Sequence, residues 1–99
     1  MKGTVTLIVP CYNEEESLPI FYHAVCDVAR NLPDYELTLL LVNDGSKDGT
    51  LQIMRDLAAQ DKHVKFLSFS RNFGKEAAMY AGFCNAKGDY VAVMDADMQ

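Results

Sequence analysis

Two aspartates one residue apart, Asp95 and Asp97, follow directly on the apolar run Tyr90-Val91-Ala92-Val93-Met94. Like charges this close repel, and a hard divalent cation with oxygen ligands is the usual use that repays the repulsion. An Asp-rich turn capping a following helix is the other use this spacing allows. Three more polar clusters stand in the chain: Tyr12-Asn13-Glu14, Asn43-Asp44-Gly45-Ser46, and Arg71 with Lys75. A carboxylate such as Asp44 can accept an N–H from a base, and Tyr12 can pack on a base or a ribose. Lys75, opening a helix, can reach phosphate with help from that helix's unpaired N–H groups. Plainer uses are open to each: Tyr12 as a half-buried aromatic, Asp44 as a helix cap, Lys75 as a solvated surface group, Glu14 as a partner for a helix dipole.

These clusters need elements to position them, and the apolar pattern supplies an alternation of strands and helices. A first strand is expected over residues 4–9, ended by Pro10, and a first helix follows with Leu18, Phe21, Tyr22, Val25, Val28 and Ala29 on one face. The acidic residues 14–16 and Pro19 suit that helix's first turn, and Asn31-Leu32-Pro33-Asp34 ends it. A second strand is expected over 36–42, and Leu51, Met54, Leu57 and Ala58 mark a second helix. A third strand over 64–69, a small-residue helix over 77–86 and a fourth strand over 90–94 complete the chain. The fourth run has no polar interruption, so it reads as a strand buried on both faces. Such βαβαβαβ order implies a doubly wound, mostly parallel sheet in a three-layer α/β/α arrangement. All four polar clusters then fall at strand carboxyl ends, the edge where open α/β sheets bind ligands.

The 99 residues make one domain at most, and 49% of them are hydrophobic, enough apolar material for a core. A net charge of −5, from nine basic and fourteen acidic residues, argues against a nucleic acid or a polybasic membrane contact. A single nucleotide held through a metal stays compatible, because the metal brings its own positive charge. Cys11, Cys26 and Cys84 are odd in number and contain no CxxC, which fits a reducing compartment, and His23 with Cys26 lacks the second pair a zinc site needs. No run reaches the ~20 apolar residues of a membrane helix and no signal peptide is evident. A soluble piece of a larger domain is expected, with the sheet continuing past residue 99. An edge exposed beside the fourth strand would then give a possible homo-oligomer.

Familiar phosphate motifs are missing: the first loop has no GxGxxG, and there is no GxxxxGK[ST]. Asp44-x-Ser46-x-Asp48-Gly49 opens like a calcium loop but has Arg55 at the twelfth position. A receiver domain would gather its acids after the first strand and near the third. What remains is a nucleoside diphosphate whose charge is met by a divalent metal on Asp97, with Asp95 beside it. A nucleotidyltransferase-like or purely nucleotide-binding domain, or a receiver-like interaction domain, is the alternative.

Pro10-Cys11-Tyr12-Asn13-Glu14-Glu15, Val42-Asn43-Asp44-Gly45-Ser46 and Asp95-Ala96-Asp97 resemble the inverting family 2 glycosyltransferases of the GT-A fold. Ser70-Arg71-Asn72-Phe73-Gly74-Lys75-Glu76-Ala77-Ala78 and Met94-Asp95-Ala96-Asp97-Met98-Gln99 look more narrowly like the bacterial polyprenyl-phosphate glycosyltransferases. The resemblance implies that residues 1–99 are the nucleotide-sugar-binding N-terminal part of such a domain. Pro10, Tyr12, Asn13, Glu14, Asp44, Gly45, Ser46, Arg71, Lys75 and Asp95 would then bind substrate, with Lys75 near the diphosphate. Asp95 and Asp97 would be catalytic and would hold Mg²⁺ or Mn²⁺. The implied reaction moves a hexose from UDP-glucose, or from GDP-mannose, to a polyprenyl phosphate. It would take place on the cytoplasmic face of the plasma membrane, reached through later segments of a longer protein, and these residues alone would be inactive.

Overall fold

The computed structural model describes residues 3–96. Runs rich in Val, Ile and Leu form the strands β1 (Gly3–Cys11), β2 (Tyr35–Asn43), β3 (Val64–Ser68) and β4 (Tyr90–Val93). The segments between them form the helices α1 (Ser17–Arg30), α2 (Thr50–Gln60) and α3 (Lys75–Asn85). The strands make one parallel sheet in the order β3-β2-β1-β4. From β1 to β3 the chain steps along the sheet in one direction, and then it returns across β1 to lay down β4. Right-handed crossovers put the helices of opposite steps on opposite faces. Accordingly α1 and α2 cover one face, where Leu18, Phe21, Val25 and Met54 pack on Val9, Cys11, Leu39, Leu41 and Val64. The other face carries α3, whose Ala78 meets Ile8, Leu40 and Val42. The alternation of these strand residues follows the two-residue repeat of a pleated strand.

Three expectations change. Pro10 lies inside β1, paired with Val42, and does not end the strand. Ile8 accepts the Met94 N–H on the β4 side while Cys11 accepts the Asp44 N–H on the β2 side, so even-numbered residues of this stretch face β4. The N–H that Pro10 lacks would therefore point where β4 pairing has already ended, at Ile8–Val93. Second, β4 is bonded to β1 alone among the described residues, and with Tyr90 57% and Val91 40% exposed the run is not buried on both faces. Third, Glu14, Glu15 and Glu16 precede α1, whose first turn contains no acid.

Helix α3 packs close to β1 because its contact residue is Gly82. A Cβ there would stand 2.4 Å from Cγ2 of the fully buried Ile8. Ile8 is β-branched and cannot swing that methyl away. We expect Gly82→Val to lower unfolding free energy by about 1–3 kcal/mol, read as a lower urea midpoint at unchanged slope.

Candidate functional site

The reversal of chain direction leaves a switch point between β1 and β4, and the loops leaving those strands part there. A cleft of ≈ 220 Å³ opens at their carboxyl ends, with Pro10, Tyr12, Glu14, Asp44, Lys75 and Asp95 among its walls. Six of the residues singled out from the sequence are thus brought together from four separate stretches of the chain. Asp97 lies outside the described residues.

Asp44 is the buried polar residue of this cleft, 3% exposed at the end of β2. Its backbone N–H donates to Cys11 O at 2.9 Å. Its carboxylate accepts the N–H groups of Phe73 at 2.8 Å and Gly74 at 3.0 Å, and the Asn72 amide at 3.3 Å. A buried carboxylate without such partners would cost several kcal/mol; here the β3–α3 loop is folded over to supply them. Gly45 makes the fold-over possible. Its φ is +70°, and an added Cβ would lie 2.2 Å from the Arg71 carbonyl carbon and 2.3 Å from Asn72 N. Gly74, at φ +101°, turns the chain from that loop into α3.

Lys75 is the first residue of α3, and its ammonium meets Asp95 Oδ1 at 2.6 Å. The pair bridges the start of α3 to the end of β4 across the cleft mouth, with the lysine side chain 56% exposed and the aspartate 35%. Tyr12 is 41% exposed at the rim, so its ring is free to take a planar partner. The Glu14 carboxylate accepts the Ser17 hydroxyl at 2.6 Å. Among the described residues no cluster of three or more His, Cys, Asp or Glu side chains could hold a metal ion. Asp95 fits one in charge and ligand chemistry, a hard carboxylate oxygen that already faces a cation.

Other residues singled out do structural work. Asn13, at φ 54°, gives its N–H to the Ser46 hydroxyl at 3.0 Å, and its side-chain oxygen accepts the Lys47 N–H at 2.8 Å. Asn13 and Ser46 thereby tie the β1–α1 loop to the β2–α2 loop. Thr50, fully buried and absent from the expected set, accepts the Glu14 N–H at 2.8 Å and donates to Asp48. Burial opposes ionisation of Asp48, but the Thr50 hydroxyl and backbone N–H groups outweigh it and hold the carboxyl below its ordinary range. Arg71 is not a wall of the cleft; its guanidinium lies 4.7 Å above the Phe73 ring. Cys11, another wall, was not singled out, because a small apolar thiol carries no signal in sequence. Burial, with Glu14 nearby, pushes its thiol up to about 12.

With that geometry in place, the relatives are informative. The family model described as "Glycosyl transferase family 2" matches residues 6–99. The bactoprenol glucosyl transferase of Shigella phage SfV is 47% identical over 95 residues, covering 96% of this chain and 31% of its own length. An undecaprenyl-phosphate 4-deoxy-4-formamido-L-arabinose transferase of Pseudomonas fluorescens is 41% identical over 96 residues, covering 96% of this chain and 28% of its own. The chain therefore spans less than a third of these curated relatives. Among solved structures, the mannosyltransferase PcManGT of Pyrobaculum calidifontis, in complex with GDP-Man and Mn²⁺, superposes with a TM-score of 0.82 at 27% identity. That match covers 98% of this chain and 28% of the other.

Three outcomes follow from the geometry. Asp44→Ala removes a buried acceptor and orphans the Phe73 and Gly74 N–H groups, so thermal unfolding is expected to show a loss of about 2–3 kcal/mol. In native protein at pH 8, a maleimide should label the exposed Cys84 and spare Cys11, whose thiolate is scarce below pH about 12. Stability that rests on the protonated Cys11 is in place below its ordinary value of 9.0 and declines as pH rises toward about 12. Mass spectrometry of the labelled peptides reads the labelling, and denaturant midpoints across pH read the change in stability.

Proposed function

This chain belongs to glycosyl transferase family 2, and from that membership we propose that it forms the donor-binding part of an enzyme that transfers a hexose to a polyprenyl phosphate with inversion. The donor is a nucleoside diphosphate sugar, UDP-glucose in the first place and GDP-mannose as the alternative. The observation that carries the reading is the cleft at the β1–β4 switch point, where an exposed aromatic, a buried carboxylate, a lysine at a helix start and Asp95 converge. Relatives that share this stretch are named for transfer to bactoprenol and to undecaprenyl phosphate, and a structural neighbour was solved with a nucleotide sugar and Mn²⁺.

In this reading Tyr12 stacks on the base or ribose, while Pro10 and Glu14 shape the nucleoside wall. Asp44 fixes the β3–α3 loop and offers its remaining lone-pair capacity to a base N–H. Lys75 and the first turn of α3 face the diphosphate, where unpaired N–H groups favour an anion. Asp95, with Asp97, would hold Mg²⁺ or Mn²⁺, which when bound stabilises the charge developing on the leaving diphosphate. The acceptor phosphate is already ionised, so it demands less of a general base than a sugar hydroxyl does. A polyprenyl phosphate resides in a bilayer, which places the reaction at a membrane surface, on the cytoplasmic face for a nucleotide sugar. No helix among the described residues is long and apolar enough to cross a membrane; in this reading other parts of a longer protein make the membrane contact.

Calorimetric titration of UDP, and separately of GDP, with and without Mn²⁺ tests the reading. We expect one nucleotide to bind in a Mn²⁺-dependent manner and Asp95→Ala or Asp97→Ala to weaken it by about tenfold or more. Equal binding with and without metal, or none to a chain that circular dichroism shows to be folded, would count against it.

A further inference from the structure

The cleft's polar walls are unequal in charge. Glu14, Asp44 and Asp95 contribute three carboxylates, and Lys75 is the cation among the residues lining it. Asp44 is satisfied by the β3–α3 loop and Glu14 by Ser17, so their hydrogen bonds stay within the protein framework. Asp95 is different. Its side-chain bond runs to a lysine that is more than half exposed, on a flexible four-carbon stem, at 2.6 Å. An exposed ion pair of this kind holds only weakly, because water screens it and ordering two side chains opposes it. It is strong enough to fill the position and weak enough to give way.

Resting on the donor-site reading above, we infer that Lys75 is the exchangeable counter-ion of Asp95. The ammonium occupies the cation position while the cleft is empty, and it is released when a divalent cation takes that carboxylate. One positive charge leaves Asp95 as two arrive, and the freed Lys75 stays at the start of α3, beside N–H groups that favour an anion. Lys75 thus has two successive partners, a carboxylate and then an anionic ligand. The exchange couples the two binding events: a diphosphate finds its lysine free only after the metal has displaced it. It also keeps Asp95 neutralised in the empty protein, in a chain with a net charge of −5.

The test uses Mn²⁺ alone, followed by the electron paramagnetic resonance signal of the free ion, on the wild type and on Lys75→Met. This substitution keeps the stem and removes the charge at an exposed site. We expect the variant to bind Mn²⁺ about three- to fivefold more tightly, the advantage of losing a competitor of surface-ion-pair strength. A second readout separates exchange from a general change in field. Acetylation of Lys75 by acetic anhydride, read by mass spectrometry, should quicken about threefold when Mn²⁺ is added while other lysines hold their rates. Unchanged Mn²⁺ affinity in Lys75→Met, a Lys75 acetylation rate indifferent to Mn²⁺, or no Mn²⁺ binding to either protein overturns the inference. Release of Lys75 by Mn²⁺ in a protein that then binds neither UDP nor GDP supports the exchange and counts against the donor-site reading alone.

Discussion

One buried charge organises the carboxyl edge of this sheet. Asp44 must find donors where solvent cannot supply them, and the nearest are the N–H groups of the loop that follows β3. Meeting that demand draws the loop across the end of β2, and Gly45 has no side chain to obstruct it. The start of α3 is fixed by the same bonds, since Gly74 is both a donor to Asp44 and the residue before the helix. Lys75 is the next residue, so its position over the cleft follows from a carboxylate on another strand. Removing Asp44 would therefore disturb a ligand at two places, where it would touch the carboxylate and where it would touch Lys75.

The alternation of strands and helices was legible because parallel sheets bury both faces and leave long apolar runs between polar loops. The strand order was not. An apolar run is the same whether its faces are covered or open, and β4 was read as buried on both faces for that reason. Its position depends on the reversal after β3, which no local pattern encodes. Pro10 misled in a related way: a proline ends a strand only if its missing N–H is needed, and that depends on where β4 stops pairing. The gathering of Tyr12, Asp44, Lys75 and Asp95 needed only the rule that strand carboxyl ends share one edge. Residue type could not separate Asn13 and Ser46, which bond loop to loop, from groups that face the cleft, because both duties select short polar side chains. Arg71 is a similar case, since a guanidinium serves a neighbouring aromatic ring, here Phe73, as readily as a phosphate.

Size and chemistry point to different places on this molecule. A larger cavity, ≈ 480 Å³, lies against the last turns of α1 and the amino-terminal ends of β2 and β3, with Val25, Ala29, Leu37 and Leu39 among its walls. Four of its polar side chains are already engaged with one another. Tyr22 donates to Asp61 at 2.6 Å, and His63 lies between Asp61 and Glu36 at 3.4 and 3.3 Å. The hydrogen bond to Asp61 raises the Tyr22 hydroxyl above its ordinary value, while that bond and the contacts with His63 lower Asp61. These are the marks of groups that stitch α1 to the α2–β3 turn. In the smaller cleft, by contrast, Tyr12 and Lys75 remain open to solvent and Asp95 has a partner it can release. A ligand gains most where the protein has left polar groups in weak or replaceable bonds. By that measure the ≈ 220 Å³ cleft outranks the ≈ 480 Å³ cavity, because its edge lies where the chain reversed direction and its loops had to part.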